Sequence, residues 1–307
     1  MLSDSSDNKV EISVSVETSD LDFWRREFPC PGELVSLPMD RPRPPVPSYV
    51  RDSVEMTLAL STSSGLRQLC SQLNVPPLAV FLAVFSTVLF RYAGQETVVV
   101  GAVSQPSCPA GELSRKSFPL FPIKTRASLL KDVSGDHLTR ELARLLVDAE
   151  AHAAYSFREL QSWAGVPDGA FGHRLFNVAL CLGDVSGRST HGWPMTDPDL
   201  NEFLAQCDVA ITVVSTDSGI TLQGDFEVDL FEKATIERLL GHVGIVLEGM
   251  IRDSSSPVVQ LPILTPIERQ QLLVEWNKGN ARIPSYETLH QWFEAQVART
   301  PDAVALT

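Results

Sequence analysis

The chain has 307 residues, of which 44% are hydrophobic and 21% are charged, and its formal net charge is −13. This composition predicts a soluble globular protein of one large or two ordinary domains and excludes a disordered chain. The negative charge argues against nucleic acid and anionic membranes as partners, because phosphate binding requires a basic surface. The longest apolar run, from Leu78 to Phe90, is too short to span a membrane, so we predict a buried core helix there.

The amino terminus and the cysteines bear on the cellular compartment. The first residues are acidic and polar, which is unlike a secretory signal. The 5 cysteines are odd in number and none belongs to a Cys-x-x-Cys pair. This pattern favours free thiols in a reducing compartment over disulfides or a zinc site. We therefore predict a cytoplasmic location.

Hydrophobic periodicity predicts helices and strands that alternate irregularly along the chain. The predicted helices cover residues 20–28, 63–74, 76–90, 135–152, 157–163 and 229–250. The predicted strands cover residues 10–16, 54–60, 97–103, 118–126, 175–182, 209–215 and 220–228. Several strands follow one another late in the chain, which indicates a mixed β-sheet covered by helices. The predicted fold class is therefore α/β.

Three segments carry more specific expectations. Residues 1–19 form a polar leader whose alternation at 10–16 fits a half-buried strand and a flexible tail equally well. The proline-rich segment 29–47 is expected to run extended over a surface. The two prolines of strand 118–126 place it at a sheet edge or a bulge. The last long helix is expected to begin with a capping box, since Asp229 and Glu232 have the required spacing.

Residues 261–277 contain a complete helix start between two breaks of the chain. Thr265 can cap the free backbone donors, Pro266 suits the first helical position, and Glu268 falls where a capping box requires it. An apolar stripe at helical spacing follows, and a second capped helix begins after a polar and proline-containing break. These features predict a connector that docks on a neighbouring domain.

The predicted docking surface consists of the connector and the helix that follows it. Its residues are Thr265, Glu268, Leu272, Leu273, Trp276, Leu289, Trp292 and Phe293. Aromatic and leucine side chains at helical spacing are typical of core or interface anchors.

No residue pattern in the chain predicts a catalytic, cofactor-binding or metal site. None of the 6 histidines has a histidine neighbour, and none is followed at a suitable interval by Asp-Gly. The acidic group Asp197, Asp199 and Glu202 matches no metal-loop spacing, so we interpret it as a solvated loop. No glycine-rich phosphate loop occurs in the sequence.

Several separate motifs, in the right order, resemble the condensation domain of nonribosomal peptide synthetases. The matching stretches are Phe23–Glu27, Leu37–Pro44, Phe81–Phe85, Leu89–Gly101 and Phe226–Phe231. The connector resembles the linker that joins a condensation domain to an adenylation domain, and residues 288–306 resemble the first helix and strand of an adenylation domain.

The resemblance implies a domain organisation and a set of partners. Residues 1–19 are the leader, 20–264 the second, C-terminal lobe of a condensation domain, 265–287 the linker with a docked helix, and 288–307 the start of the adenylation domain. The implied partner is the adenylation domain in cis, with a carrier domain or another protein of the synthetase as further partners. No cofactor is expected in this part, whereas the parent synthetase is expected to use phosphopantetheine on a carrier domain, and ATP and Mg in the adenylation domain.

Condensation domains resemble chloramphenicol acetyltransferase and consist of two lobes, with the carrier arms meeting in a tunnel between them. The family's catalytic histidine motif belongs to the first lobe, and this chain is expected to begin where the second lobe begins. The motifs of the second lobe are also altered. Pro122 stands within a strand where the family carries an Asn, although Arg126 is kept, and residues 153–159 and 169–176 keep little of two further polar motifs.

These features predict a truncated lobe without catalytic activity, acting as a structural scaffold for the adenylation domain of a loading module. Two alternatives remain open at this stage. The chain could be half of an active condensation domain that a first lobe completes in trans. It could also be a docking module in which residues 10–16 add a strand to a partner's sheet.

Overall fold

The computed structural model describes residues 22–28, 34–103, 120–126, 133–152, 175–184, 204, 207–216, 219–278 and 288–304. The predictions for residues 10–16, 157–163 and 185–203 lie outside this part, as do residues 153–174, which hold nearly all of both altered motifs. The chain divides into two compact units, Met1–Thr265 and Pro266–Thr307.

The first unit is built on a six-stranded mixed sheet. Its strands are β1 (Arg51–Thr57), β2 (Thr97–Val103), β3 (Leu120–Arg126), β4 (Val178–Asp184), β5 (Val209–Thr216) and β6 (Gly219–Glu227). Their order across the sheet is β1-β6-β5-β4-β2-β3. The pairs β2–β4 and β4–β5 are parallel, and the other pairs are antiparallel. The predicted mixed sheet is confirmed, and β3, which contains Pro122, lies at an edge as expected.

The helices of the first unit pack on the sheet and on one another. They are α1 (residues 22–27), α2 (Leu60–Leu73), α3 (Pro77–Ala93), α4 (Gly135–Ala151) and α5 (Lys233–Arg252). Every residue of α3 from Leu78 to Leu89 is buried, as predicted for a core helix, and α3 packs against α4, α5 and β2. No single described helix is long and apolar enough to span a membrane. The consecutive helices α2 and α3, which are bent by 106°, have that length and hydropathy only when taken together.

The structure moves the predicted boundary between the first strand and the helix after it. Alternation suggested a strand over 54–60, whereas β1 ends at Thr57 and Leu60 is already the first residue of α2. The amides of Thr62 and Ser63 donate to the carbonyl of Ala59, which closes the first helical turn three residues earlier than predicted. Leu60 is 63% exposed, so its place in the apolar alternation was a coincidence of sequence.

The predicted capping box at the start of α5 is wrong. Glu232 occupies the N-cap position, and the Asp229 carboxylate instead accepts the amide of Ser48 at 2.6 Å. Asp40 contacts the start of α5, since its carboxylate accepts the amide of the N-cap residue Glu232 at 2.8 Å and the Thr235 hydroxyl at 3.0 Å. The N-cap residue of α5 is therefore held by a residue distant in sequence, which local spacing cannot reveal.

The described part of the second unit contains the connector from Pro266 onwards and one further helix. The connector begins as α6 (Pro266–Gln270) and continues as a π-helical turn over Gln271–Glu275. The amide of Trp276 donates to the Gln271 carbonyl at 2.9 Å, a spacing of five residues that defines the wider turn. Helix α7 spans Leu289–Arg299. The predicted helix start at Pro266 is confirmed, but the regular helix is shorter than expected.

Candidate functional site

The described residues 34–50, here called the strap, run extended along one end of the sheet. Val35 exchanges two hydrogen bonds of 2.9 Å with the side chain of Asn177, which directly precedes β4. Gln95, just before β2, accepts the Ser36 amide at 2.8 Å and donates to the Leu34 carbonyl at 2.9 Å. The strap contains neither helix nor strand, and side-chain amides hold its first residues in place.

A buried ion pair fixes the middle of the strap. The guanidinium of Arg43 donates to both oxygens of Asp208, at 3.0 and 2.5 Å. The Asp208 side chain is only 2% exposed and also accepts from Asn177 at 2.7 Å. The hydrogen bond to Asp208 raises the pKa of Arg43. Because both carboxylate oxygens are used, this cluster is structural and presents no reactive group.

Polar side chains also line the sheet face opposite to α5. Arg51 of β1 donates to the carbonyls of Cys207 and Asp225, at 2.6 and 3.1 Å. Burial lowers the pKa of Arg51. Gln223 donates to the Asp225 carboxylate at 3.3 Å and lies beside Thr212 in the neighbouring strand. The hydrogen bonds of Arg51 join β1 to Cys207 and to β6, whereas the buried hydroxyl of Thr212 has no hydrogen-bond partner among the described residues. We assign these groups no chemistry beyond holding the strands together.

Of the four described histidines, two contact a neighbouring element and two lie in the first turn of a helix. His242 of α5 lies 2.7 Å from the hydroxyl of Tyr92 of α3, and His152 stacks on Phe23 with ring centroids 4.0 Å apart. His137 and His290 are exposed in the first turns of their helices. Within the described ranges, no group of three or more His, Cys, Asp or Glu side chains could hold a metal ion.

The residues predicted for docking lie in the second unit, except Thr265, which is the last residue of the first. Thr265 and Glu268 flank the first turn of α6 and are half-buried. The apolar members are exposed, namely Leu272 (38%), Leu273 (56%), Trp276 (69%), Leu289 (81%), Trp292 (51%) and Phe293 (60%). Most of the exposed large apolar side chains on the described part of the chain lie between Pro266 and Val304. Docking itself stays a prediction.

Sequence reasoning missed the three side chains that organise the strap, Asp40, Asn177 and Asp208. Each is a polar residue without a local motif, and at least one partner of each lies more than 100 residues away in the sequence. One signal was available for Asp208, since it stands directly before the apolar strand β5. A charge at that position needs a partner, and the arginines of the strap were candidates.

Burial protects the described cysteines, which sets a first testable expectation. Desolvation raises the pKa of Cys70 to about 11, and it raises the pKa of the fully buried Cys181 well above its usual value. We expect Cys70 to react slowly with iodoacetamide at neutral pH, because the thiolate is the reactive form, and its rate to climb between about pH 7 and 10. Mass spectrometry of the alkylated peptide measures the rate at each pH. If the Cys70 rate stops rising at the same pH as the rate of a free cysteine peptide, the expectation is contradicted.

The arrangement of the sheet and helices matches solved condensation-type folds. The X-domain in its complex with OxyB from teicoplanin biosynthesis superimposes with a TM-score of 0.68 at 20% identity, covering 81% of this chain and 56% of that chain. The condensation domain of the monacolin K polyketide synthase MokA gives a TM-score of 0.64 at 15% identity, covering 81% of this chain and 60% of that chain. At these identities the comparison shows the fold alone.

The sequence model of the condensation domain family matches residues 13–273. The chain therefore belongs to the condensation domain family, and the predicted resemblance to these domains is confirmed. Among curated relatives, surfactin synthase subunit 1 of Bacillus subtilis (strain 168) is 27% identical over 290 residues, covering 92% of this chain and 8% of the relative. Malpinin synthetase of Mortierella alpina is 29% identical over 294 residues, covering 94% of this chain and 4% of the relative. The chain thus spans a small fraction of the relatives it matches.

Proposed function

We propose that the chain is the C-terminal lobe of a condensation domain in a nonribosomal peptide synthetase. In this proposal it catalyses no reaction and serves as a structural scaffold for a following adenylation domain, in a loading module. The observation that carries the proposal is the exposure of Leu273, Trp276, Leu289, Trp292 and Phe293, which form no core in the described part. Contiguous exposed apolar patches mark surfaces that a partner covers, and in this proposal these side chains form one such patch.

The comparisons support the assignment to one lobe. The chain covers 56% of the X-domain chain and 60% of the MokA condensation domain, so the match accounts for little more than half of each fold. The long curated relatives are synthases and synthetases, which supports a multidomain parent with an adenylation domain and a carrier domain. The phosphopantetheine, ATP and Mg of that parent would belong to those other domains. A cytoplasmic location fits the free thiols of the described cysteines.

The side chains of the first unit support a scaffold without catalysis. A general base needs a titratable group aimed into a substrate pocket. The described histidines His152 and His242 instead contribute to contacts between elements, and the acidic residue Asp208 is consumed by its ion pair. The strand that lacks the Asn of the family motif carries Pro122 instead of a polar side chain facing Gly101, and Pro122 is buried in β3.

The docking part of the proposal is tested with Trp276→Asp. In a longer synthetase that includes the adenylation domain, we expect this change to lower the free energy of unfolding by about 2 kcal/mol, as for a central interface residue. In the 307-residue chain alone, where Trp276 is 69% exposed, the effect should stay within about 0.5 kcal/mol. Thermal unfolding and amino-acid-dependent pyrophosphate exchange measure the effect.

The matched control is Gln271→Asp, which adds the same charge on the same exposed turn without removing an apolar side chain. It should be neutral in both proteins. Equal effects of Trp276→Asp in the short and the long protein would contradict docking. The absence of catalysis is tested separately with two loaded carrier proteins, and amide formation by the chain would overturn the non-catalytic assignment.

A further inference from the structure

We propose that Arg91 is a positioning residue that fixes the exit segment, residues 253–262, through which the chain leaves α5 towards the connector. The inference rests on the proposed function, in which the connector joins this lobe to an adenylation domain. The exit segment lies entirely within the first unit, which ends at Thr265. The contacts that hold it are therefore visible without any neighbouring domain.

The guanidinium of Arg91 binds two consecutive carbonyls of the exit segment. Its Nη2 donates to the Val258 oxygen at 2.8 Å and to the Val259 oxygen at 2.6 Å. Arg91 stands in the last turn of α3, directly after the stretch of that helix that is buried throughout. Burial lowers the pKa of Arg91, but a guanidinium remains charged at neutral pH. A charged donor on a rigid helix therefore holds both carbonyls.

The start of α4 holds the other side of the exit segment. The amides of Gly135 and Asp136 donate to the carbonyls of Ser256 and Ser254, at 3.1 and 2.8 Å. The first amides of a helix have no acceptor within the helix, so these carbonyls satisfy donors that would otherwise be free. The Val258 amide also donates to the Val133 carbonyl at 3.0 Å.

Apolar contacts complete the attachment near its end. Val258 and Leu261 are 1% and 4% exposed. Pro262 packs on α5 so closely that a Cβ added at Gly249 would lie 3.1 Å from its Cδ. Leu261 is thus the last buried residue before Thr265, and four extended residues reach at most about 14 Å. The exit segment is therefore held on the first unit to within four residues of that unit's last residue.

Arg91 is the contact that mutation can remove selectively, since the α4 contacts come from the backbone. We expect Arg91→Met to speed hydrogen exchange of the amides at 258–261 about tenfold in the 307-residue chain, because the loss of a charged donor frees two carbonyls. Arg91→Lys keeps the charge on a narrower donor and should give a smaller increase. Arg67, which is exposed on α2, provides the matched control, and Arg67→Met should leave the exchange unchanged.

Hydrogen exchange of the core helix α3, measured in the same experiment, separates local loosening from general unfolding. Unchanged exchange at 258–261 in Arg91→Met, or equal acceleration at 258–261 and within α3, would overturn the inference. This readout needs no adenylation domain and is therefore independent of the proposed function. In the longer synthetase, labels on the two domains should show a broader distance distribution for Arg91→Met. A loosened exit segment with an unchanged distribution would count against the scaffold function and leave the role of Arg91 intact.

Discussion

Substitution of Arg43 by methionine is expected to lower the free energy of unfolding by about 3 kcal/mol, because it leaves the buried carboxylate of Asp208 without its counterion. The Arg43 side chain is itself 40% exposed, so water reaches part of the pair and the expected loss lies at the low end for buried ion pairs. Asn177 still donates to Asp208 in the variant, which limits the loss further. Urea unfolding followed by circular dichroism measures the change.

The control for this prediction is Arg144→Met on α4. Arg144 also bridges two carboxylates, those of Glu141 and Asp148, but its side chain is 60% exposed. Exposed ion pairs contribute less than about 1 kcal/mol, so this variant should be close to neutral. If Arg43→Met costs no more than Arg144→Met, the strap is not held by the buried pair. A double variant with Asp208→Leu should recover much of the loss, since an apolar pair avoids the buried charge.

The elements of this fold were predictable where a single period dominates the sequence. Strand β2 was predicted with its observed bounds because Thr97–Val103 is a continuous apolar run. Helix α3 was predictable because apolar residues occupy all of its sides. The errors occur where a tertiary contact decides. The start of α5 depends on Asp40, and the π-helical turn after Gln270 has no period that distinguishes it from a regular helix.

The exposed tryptophans of the second unit were singled out from the sequence, whereas the polar contacts were not. Trp276 and Trp292 were recognisable because a large apolar residue on a short, capped helix needs a partner, and the structure leaves both exposed. The partners of Asn177 and Asp208 could not be derived, since many polar residues of the chain are chemically suitable. Only the order of strands β4, β5 and β6 brings Val35, Asn177 and Asp208 to the same end of the sheet.

Gly101→Ala is expected to be as damaging as the loss of Arg43. A Cβ added at Gly101 of β2 would lie 1.9 Å from Cε2 of Phe176, whose ring is 1% exposed. The ring cannot leave into solvent, so the strand or the ring must shift, which costs about 3 kcal/mol at the upper end for overpacked cores. Gly241→Ala on α5 is the control, because its nearest neighbour, Met56, is 3.8 Å away. Alanine there should stabilise the helix by up to about 1 kcal/mol.

The clash at Gly101 is also expected to affect the Arg43–Asp208 pair. Phe176 directly precedes Asn177, which holds both Val35 of the strap and the carboxylate of Asp208. A displaced Phe176 ring therefore moves the residue that supports the Arg43–Asp208 pair. We expect Gly101→Ala and Arg43→Met to be non-additive by about 1 kcal/mol, with the double variant losing less than the sum, because the first change already weakens what the second removes. Strict additivity in urea unfolding would show that the sheet face and the strap are independent.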